Sequence, residues 1–206
     1  VELRHGTHIF RLDEIGDFVL FQNFIGIIRQ SEKYQNYRIS LCGNLVWRDL
    51  AEKTLQNSID QFIWIDKKLF EKSLRYKYQS LKKIYSEGYS VVINPHYTRG
   101  ILYDDSIVRV SSASYKIGSE GSPESHAKWK RDLFTDRYYT QLIPQSPDTL
   151  FEFLRNKEYC ENLLEENADI QKPTLNLPEN LEYSSLTPNR VVIFPGAGHS
   201  GRQWHI

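Results

Sequence analysis

Apolar runs of strand length alternate with longer stretches of helical period through most of the chain, the pattern of βαβ units wound on a parallel sheet. Residues 8–12 (HIFRL) predict a first strand, and residues 17–30 a helix with Phe18, Phe21, Ile25 and Ile28 on one side. Further strands are expected at residues 37–41, 61–65 (QFIWI) and 89–94 (YSVVIN), with a short fifth at 115–117. Between them fall a helix at 45–55, a long amphipathic helix at 69–86 closed by Gly88, and a helix at 100–111. Glycine suits that closing position because the residue past a last helical turn commonly adopts a left-handed backbone.

The regularity fails from residue 118 to 130, where Gly, Ser and Pro interleave with Lys128, Trp129 and Lys130, and a long loop or lid is expected. Residues 138–143 read as extended. Residues 148–168 read as a helix opened by Ser146-Pro147-Asp148 and carrying Leu150, Phe151, Leu154, Leu163 and Leu164. Residues 171–189 hold Pro173, Pro178 and Pro188 without periodicity and resemble an interdomain linker. Residues 190–194 (RVVIF) then begin a new strand, followed by a glycine-rich turn at 195–201. The expected organisation is a first α/β domain over 1–170, a linker over 171–189, and the first strand and turn of a second domain over 190–206. A chain that opens on Val1, contains no methionine and stops inside a helix start at Ile206 reads as a fragment.

Composition narrows the class. The 206 residues, 40% hydrophobic and 25% charged, suffice for a substantial core and exclude collagen and disordered tails. Lys+Arg and Asp+Glu are 26 each, so the net charge is zero and a nucleic-acid partner is not expected. Cys42 and Cys160 belong to no Cys/His cluster, which fits a reduced compartment without structural zinc. The longest apolar run, residues 18–28, is too short to span a membrane and is interrupted by Gln22 and Asn23, so a cytoplasmic protein is expected. Charge is nonetheless uneven. Residues 67–83 carry seven basic side chains against Glu71 alone, a face for anionic lipid or a phosphorylated acceptor, or a solvated helix face.

After the first strand, a dinucleotide-binding unit would present G-x-G-x-x-G, whose glycines admit a pyrophosphate. Here residues 11–17 (RLDEIGD) hold one glycine and three acids. That loop repels a diphosphate and instead places carboxylates at the carboxyl edge of the sheet, where ligands of open α/β folds bind.

The segment R-x-D-E-I-G-D-F-V-L, together with the distant F-P-G-A-G-H-S-G-R-Q-W-H, resembles the ADP-heptose:lipopolysaccharide heptosyltransferases of glycosyltransferase family 9. The resemblance implies a Rossmann-like parallel sheet with flanking helices, the N-terminal, acceptor-side half of a two-domain GT-B enzyme. It implies inverting transfer from a nucleotide-diphosphate sugar such as ADP-heptose to a lipopolysaccharide-core or other cell-surface glycan, without cofactor. The base would be Asp17, which follows Gly16, with Asp13 in reserve. An Asp at a helix N-terminus is stabilised as the anion, so it must act by positioning. The alternative role for Asp17 is a helix cap worth about 1 kcal/mol. In the second motif Gly196, Gly198, Ser200 and Gly201 would hold the donor diphosphate, and Arg202 stands where the family usually carries lysine. His199 and His205 depart from the family pattern.

In the same resemblance, the loop after the fourth strand makes His96 and Arg99 candidates for holding an anionic acceptor, the alternatives being a capping histidine and a solvated arginine; Lys128 and Lys130, in the irregular loop, could clamp the acceptor or be exposed loop residues. The chain has no Asp-x-Asp, so no metal is expected. Peripheral contact with the inner membrane fits a glycolipid acceptor. Other readings from the sequence are a noncatalytic Rossmann-like binding module and another GT-B sugar-nucleotide enzyme, such as an epimerase.

Overall fold

The computed structural model describes residues 4–121 and 128–175, which fall within one compact unit, residues 1–176. Residues 176–189 of the expected linker, the strand expected at 190–194 and the glycine turn at 195–201 lie outside the described residues.

Six strands form one sheet: β1 (Arg4–Arg11), β2 (Arg38–Asn44), β3 (Gln61–Ile65), β4 (Tyr89–Asn94), β5 (Tyr115–Ser119) and β6 (Gln141–Ile143). Their order is β3-β2-β1-β4-β5-β6 and every pairing is parallel, so the winding reverses between β1 and β4. The crossovers are helical, as parallel pairing demands. They comprise α1 (Ile15–Gln30), a 3-10 turn (Leu45–Trp47) running into α2 (Arg48–Thr54), α3 (Lys67–Lys72), α4 (Leu74–Glu87) and α5 (Asp104–Val110). A short α6 (Lys128–Lys130) continues into a π-helical turn (Arg131–Thr135), and α7 (Glu152–Leu164) follows β6. The Rossmann-like α/β sheet expected from the sequence is the fold observed.

Successive strand residues face opposite sides, and here both sides are covered. Ile9, Ile39, Leu41, Val91 and Ile93 meet Phe18, Phe21, Ile25 and Ile28 of α1 and Phe153, Tyr159 and Leu163 of α7. Their neighbours in the strands, Phe10, Cys42 and Val92, meet Phe70, Ile84, Ile107 and Val108 of α3, α4 and α5. Burial on two faces explains why the strands read as nearly continuous apolar runs.

Three elements differ from the sequence expectation. The helix expected at 69–86 is two helices. Ser73 adopts an extended backbone (φ −115°, ψ 107°) and its hydroxyl accepts from the Tyr76 amide, so it ends α3 and caps α4. Gly88 closes α4 with φ 68°, as expected. The helix expected at 100–111 begins at Asp104, because the Asp104 carboxylate accepts the Gly100 amide at 2.9 Å and holds the preceding residues as a turn. The helix expected at 148–168 is confined to Glu152–Leu164, with Phe151 and Leu154 exposed rather than packed in the core. Arg155 donates to the Ser146 and Asp148 carbonyls, which fixes the segment before Glu152 in a non-helical course. Of the expected loop at 118–130, residues 122–127 lie outside the described residues, Gly118 and Ser119 extend β5, and Lys128 starts α6. Among the described residues no helix is long and apolar enough to cross a membrane.

Candidate functional site

The reversal of strand order puts the carboxyl ends of β1 and β4 side by side, with Ile9 paired to Ile93. The loops that follow, Leu12 to Glu14 and Pro95 to Thr98, therefore meet in the crevice where open α/β sheets bind ligands. The first loop is held from β2. The Asp13 carbonyl accepts from Asn44 Nδ2 and from Trp47 Nε1, each at 3.1 Å. The Trp47 indole stacks on Phe18 at 4.2 Å and lies over Gly43, where a Cβ would stand 2.0 Å from the ring. Only glycine at 43 admits this placement.

The Asp13 carboxylate accepts from Arg11 Nε and lies 3.4 Å from His96 Nε2. Arg11 is wholly buried and spends its other nitrogens on Asn156 Oδ1 and Glu152 Oε1, both at 3.1 Å, with its guanidinium 4.6 Å above Phe21. The His96 Nδ1 is 3.0 Å from Asn94 Oδ1 and 3.4 Å from Asp104 Oδ1. Burial pushes the Asp13 carboxyl upward, but Arg11 and His96 outweigh it and hold it below the usual carboxylate range. Burial opposes charge on His96 as well, yet Asp104 and Asp13 prevail and raise its pKa. The result is a chain of contacts, Arg11–Asp13–His96–Asp104, across the crevice, which favours the anionic form of Asp13 and the protonated form of His96. Its imidazole turns one nitrogen to each carboxylate, so the donors do not converge on one point, and the described residues contain no metal-binding cluster.

Two clefts open at this edge. One of about 350 Å³ is lined by Leu12, Asp13, His96, Tyr103 and Asp104; another of about 460 Å³ is lined by Glu14, Asn44, Val46 and Asp66. Lys67 and Glu71 border both, and Lys67 Nζ sits 3.5 Å from Glu14.

The structure brings Asp13 and His96 together. Asp17 lies in the first turn of α1, half-buried, and its carboxylate makes no hydrogen bond or ion pair with a described residue. It therefore does not serve as a cap within this unit. Arg99 does not open onto the clefts. Its side chain is fully buried, paired with Asp136, 3.6 Å from Asp105 and stacked 4.6 Å from the Tyr139 ring centre. Tyr139 in turn donates to Asp105 and accepts from Asn94, each at 2.7 Å. Lys128 pairs with Asp132 beside a separate cleft of about 220 Å³, and exposed Lys130 lies over Trp129. Gly196, Gly198, Ser200, Gly201 and Arg202 lie outside the described residues. Sequence reasoning missed Arg11, Asn94, Asp104 and Lys67. The adjacent acids Asp104 and Asp105 at a helix start were the available signal, whereas Arg11 reads as an ordinary strand residue until its distant partners are known.

No family model matches the chain, and no curated protein matches it. Among solved structures, it is similar to the glycosyl transferase family 9 protein of Veillonella parvula, with a TM-score of 0.61 at 19% identity over 86% of this chain and 46% of that one. It is also similar to the E. coli heptosyltransferase WaaC, solved with ADP-2-deoxy-2-fluoro heptose (TM-score 0.61, 11% identity, 82% of this chain and 51% of that one). The WaaC structure with ADP gives 0.59 at 11% identity, over 83% and 50%. The chain spans about half the length of these proteins, and its fold is that of the Rossmann-like half of a GT-B glycosyltransferase.

Proposed function

We propose that this chain is the acceptor-side half of an inverting, metal-independent glycosyltransferase that moves a sugar from a nucleotide-diphosphate donor, ADP-heptose in the simplest case, to a lipopolysaccharide-core or other surface-glycan acceptor on the cytoplasmic face of the membrane. The observation that carries this reading is the pair of unlike carboxylates at the switch point. Asp13 is locked between Arg11 and His96, whereas Asp17, one helical turn further on, has no described partner. A carboxylate already held by Arg11 and His96 is spoken for, whereas one without a described partner is free to meet an acceptor hydroxyl.

In the proposed step, the acceptor hydroxyl oxygen bonds to the anomeric carbon while the bond from that carbon to the diphosphate oxygen breaks. The hydroxyl proton passes to Asp17, and the configuration inverts. The residues of the second motif, Gly196, Gly198, Ser200, Gly201 and Arg202, are the proposed group that offsets negative charge building on the departing diphosphate. Asp13 and His96 orient the acceptor, and Lys128, beside its separate cleft, and exposed Lys130 would meet an anionic part of the acceptor that extends that far. Arg99 acts as an internal brace for the His96 loop.

The test is a donor panel with the full-length protein, following nucleoside diphosphate release with and without acceptor glycan, and repeated for Asp17→Asn. We expect Asp17→Asn to keep the melting temperature and donor affinity while lowering turnover by about a hundredfold or more. Near-normal turnover would reject Asp17 as the base, and donor binding without transfer would favour a binding module.

A further inference from the structure

His96 is tied through the sheet to a tyrosine that does not line its cleft. Asn94, the last residue of β4, is wholly buried, and its side chain meets His96 with one end and Tyr139 with the other. The His96 main-chain amide can only donate, and it donates to Asn94 Oδ1 at 3.3 Å, so the carboxamide has its oxygen toward His96. That leaves Nδ2 for Tyr139, whose hydroxyl oxygen accepts from it at 2.7 Å while its proton goes to Asp105 Oδ1, also at 2.7 Å. Tyr139, from the segment before β6, comes this close because Gly118, the partner of Asn94 in β5, has no side chain; a Cβ there would stand 2.4 Å from the phenol ring. Asn94 and Asp105 are fully buried, so a flipped carboxamide would set donor against donor where bulk water offers no substitute. Asn94 Oδ1 also lies 3.0 Å from His96 Nδ1, and an oxygen that can only accept calls for a proton on that nitrogen.

We propose that Tyr139 is a positioning residue for His96: acting through Asn94, it keeps the Nδ1 proton in place and leaves Nε2, the nitrogen facing Asp13, as the one that gains and loses a proton. Asp104 Oδ1, 3.4 Å from Nδ1, accepts in the same sense. The charged groups around the ring are Asp13, with Arg11 behind it, Asp104 of α5, and Lys67 and Glu71 of α3 at the border of the cleft. They favour or oppose charge on the imidazole, whereas Tyr139 and Asn94 decide which nitrogen carries the change. With an acceptor sugar in the cleft, the movable proton would then lie on the Asp13 side of the ring, a consequence that rests on the proposed function, although the tautomer itself does not.

Two-bond proton–nitrogen correlation NMR of the full-length protein, isotopically labelled at histidine nitrogen and recorded across pH, tests this, with the His96 signals assigned by their loss in His96→Gln. Above the titration midpoint Nδ1 should keep the shift of a protonated nitrogen while Nε2 moves to that of a bare one. Tyr139→Phe keeps the ring over Gly118 and removes only the hydroxyl, so the carboxamide is freed to turn, and the two nitrogens of the neutral imidazole should move toward a common intermediate shift. Asn94→Ala, which removes the Oδ1 acceptor, should do the same. Val108→Ala opens the cluster in which Tyr139 packs, and should lower the denaturant midpoint with both nitrogen shifts unmoved. A neutral parent imidazole with its proton on Nε2, an imidazole that stays charged at every pH the fold tolerates, parent-like shifts in the Tyr139 or the Asn94 variant, or equal movement in Val108→Ala would overturn the proposal. Should Tyr139→Phe fail to fold, the parent and Asn94→Ala decide it. The readout involves no sugar transfer, so the expected tautomer in a protein that transfers nothing would overturn the proposed function alone.

Discussion

Two histidines set opposite limbs of the stability curve. His8 is buried in β1 between Phe10 and Tyr89, with ring centres 4.4 and 4.5 Å away and neither nitrogen bonded, and burial pushes its pKa down to about 3. The unfolded chain protonates this ring near pH 6.5, so its contribution to stability is present above that pH and is lost as the pH falls. His96 has the reverse sign. Its pKa is raised in the folded state, so its contribution is complete below about 6.5 and fades as the pH rises through the higher folded value. Each limb has a slope of up to about 1.4 kcal/mol per pH unit. Urea unfolding across pH should show a maximum near 6.5. His8→Leu should flatten the acid limb relative to the parent, and His96→Gln the alkaline limb; parallel curves for parent and variant would refute the assignment. The two residues differ in how far the sequence reveals them. His96 stands after a strand that reads clearly, at the edge where ligands bind, and so is a candidate from the outset. His8 lies within a strand, where alternation says nothing about whether a polar ring will find a partner.

At the scale of elements, legibility follows from how local the determining interaction is. β3 and β4 fall where their apolar runs do, because Ile63, Ile65 and Val92 pack into one helical layer and Phe62, Trp64, Val91 and Ile93 into the other. The break between α3 and α4 leaves the apolar periodicity intact, since it depends on the backbone and hydroxyl of Ser73, and periodicity therefore does not reveal it. The start of α7 is set by Arg155 capturing carbonyls seven and nine residues earlier, which no propensity records. The β2 crossover depends likewise on one close approach. Gly43→Ala would drive a methyl group into the Trp47 ring, displacing the indole from Phe18 and from the Asp13 carbonyl. We expect a loss of about 2 kcal/mol or more, with altered tryptophan fluorescence, measured by denaturant midpoint. Replacing Trp47 by Leu in the same chain should recover part of it, because the two changes share one space. Independent, additive losses would disprove the coupling.

Across the whole molecule, Arg11 joins the first strand to the last described helix. It reaches 145 residues along the chain to Asn156 and 141 to Glu152, while its Nε holds Asp13 at the switch point. The α1–α7 layer closes over the same connection, with Phe24 and Phe153 ring centres 5.3 Å apart and Asn23 accepting the Thr174 amide at 2.9 Å. A motif-level reading singles out Asp13 and Asp17 as candidates because both lie within one short segment, but it cannot find a network of contacts whose members are brought together only by the closed fold. Arg11→Met should separate these roles. Asp13 would be left buried beside His96 alone, and removing one partner of a buried pair costs about 3–5 kcal/mol, toward the lower end here because Glu152 is partly exposed. The site should respond in a defined direction. Arg11 is one of the charges that depress the His96 pKa, so its loss should move the imidazole titration upward, while Asp13, losing its nearest cation, should titrate higher than in the parent. Chemical denaturation and NMR titration of the imidazole measure the two effects separately. A destabilised variant with an unmoved His96 titration would mean that Arg11 acts only as a strut between β1 and α7, and that its electrostatic influence across the crevice stops at Asp13.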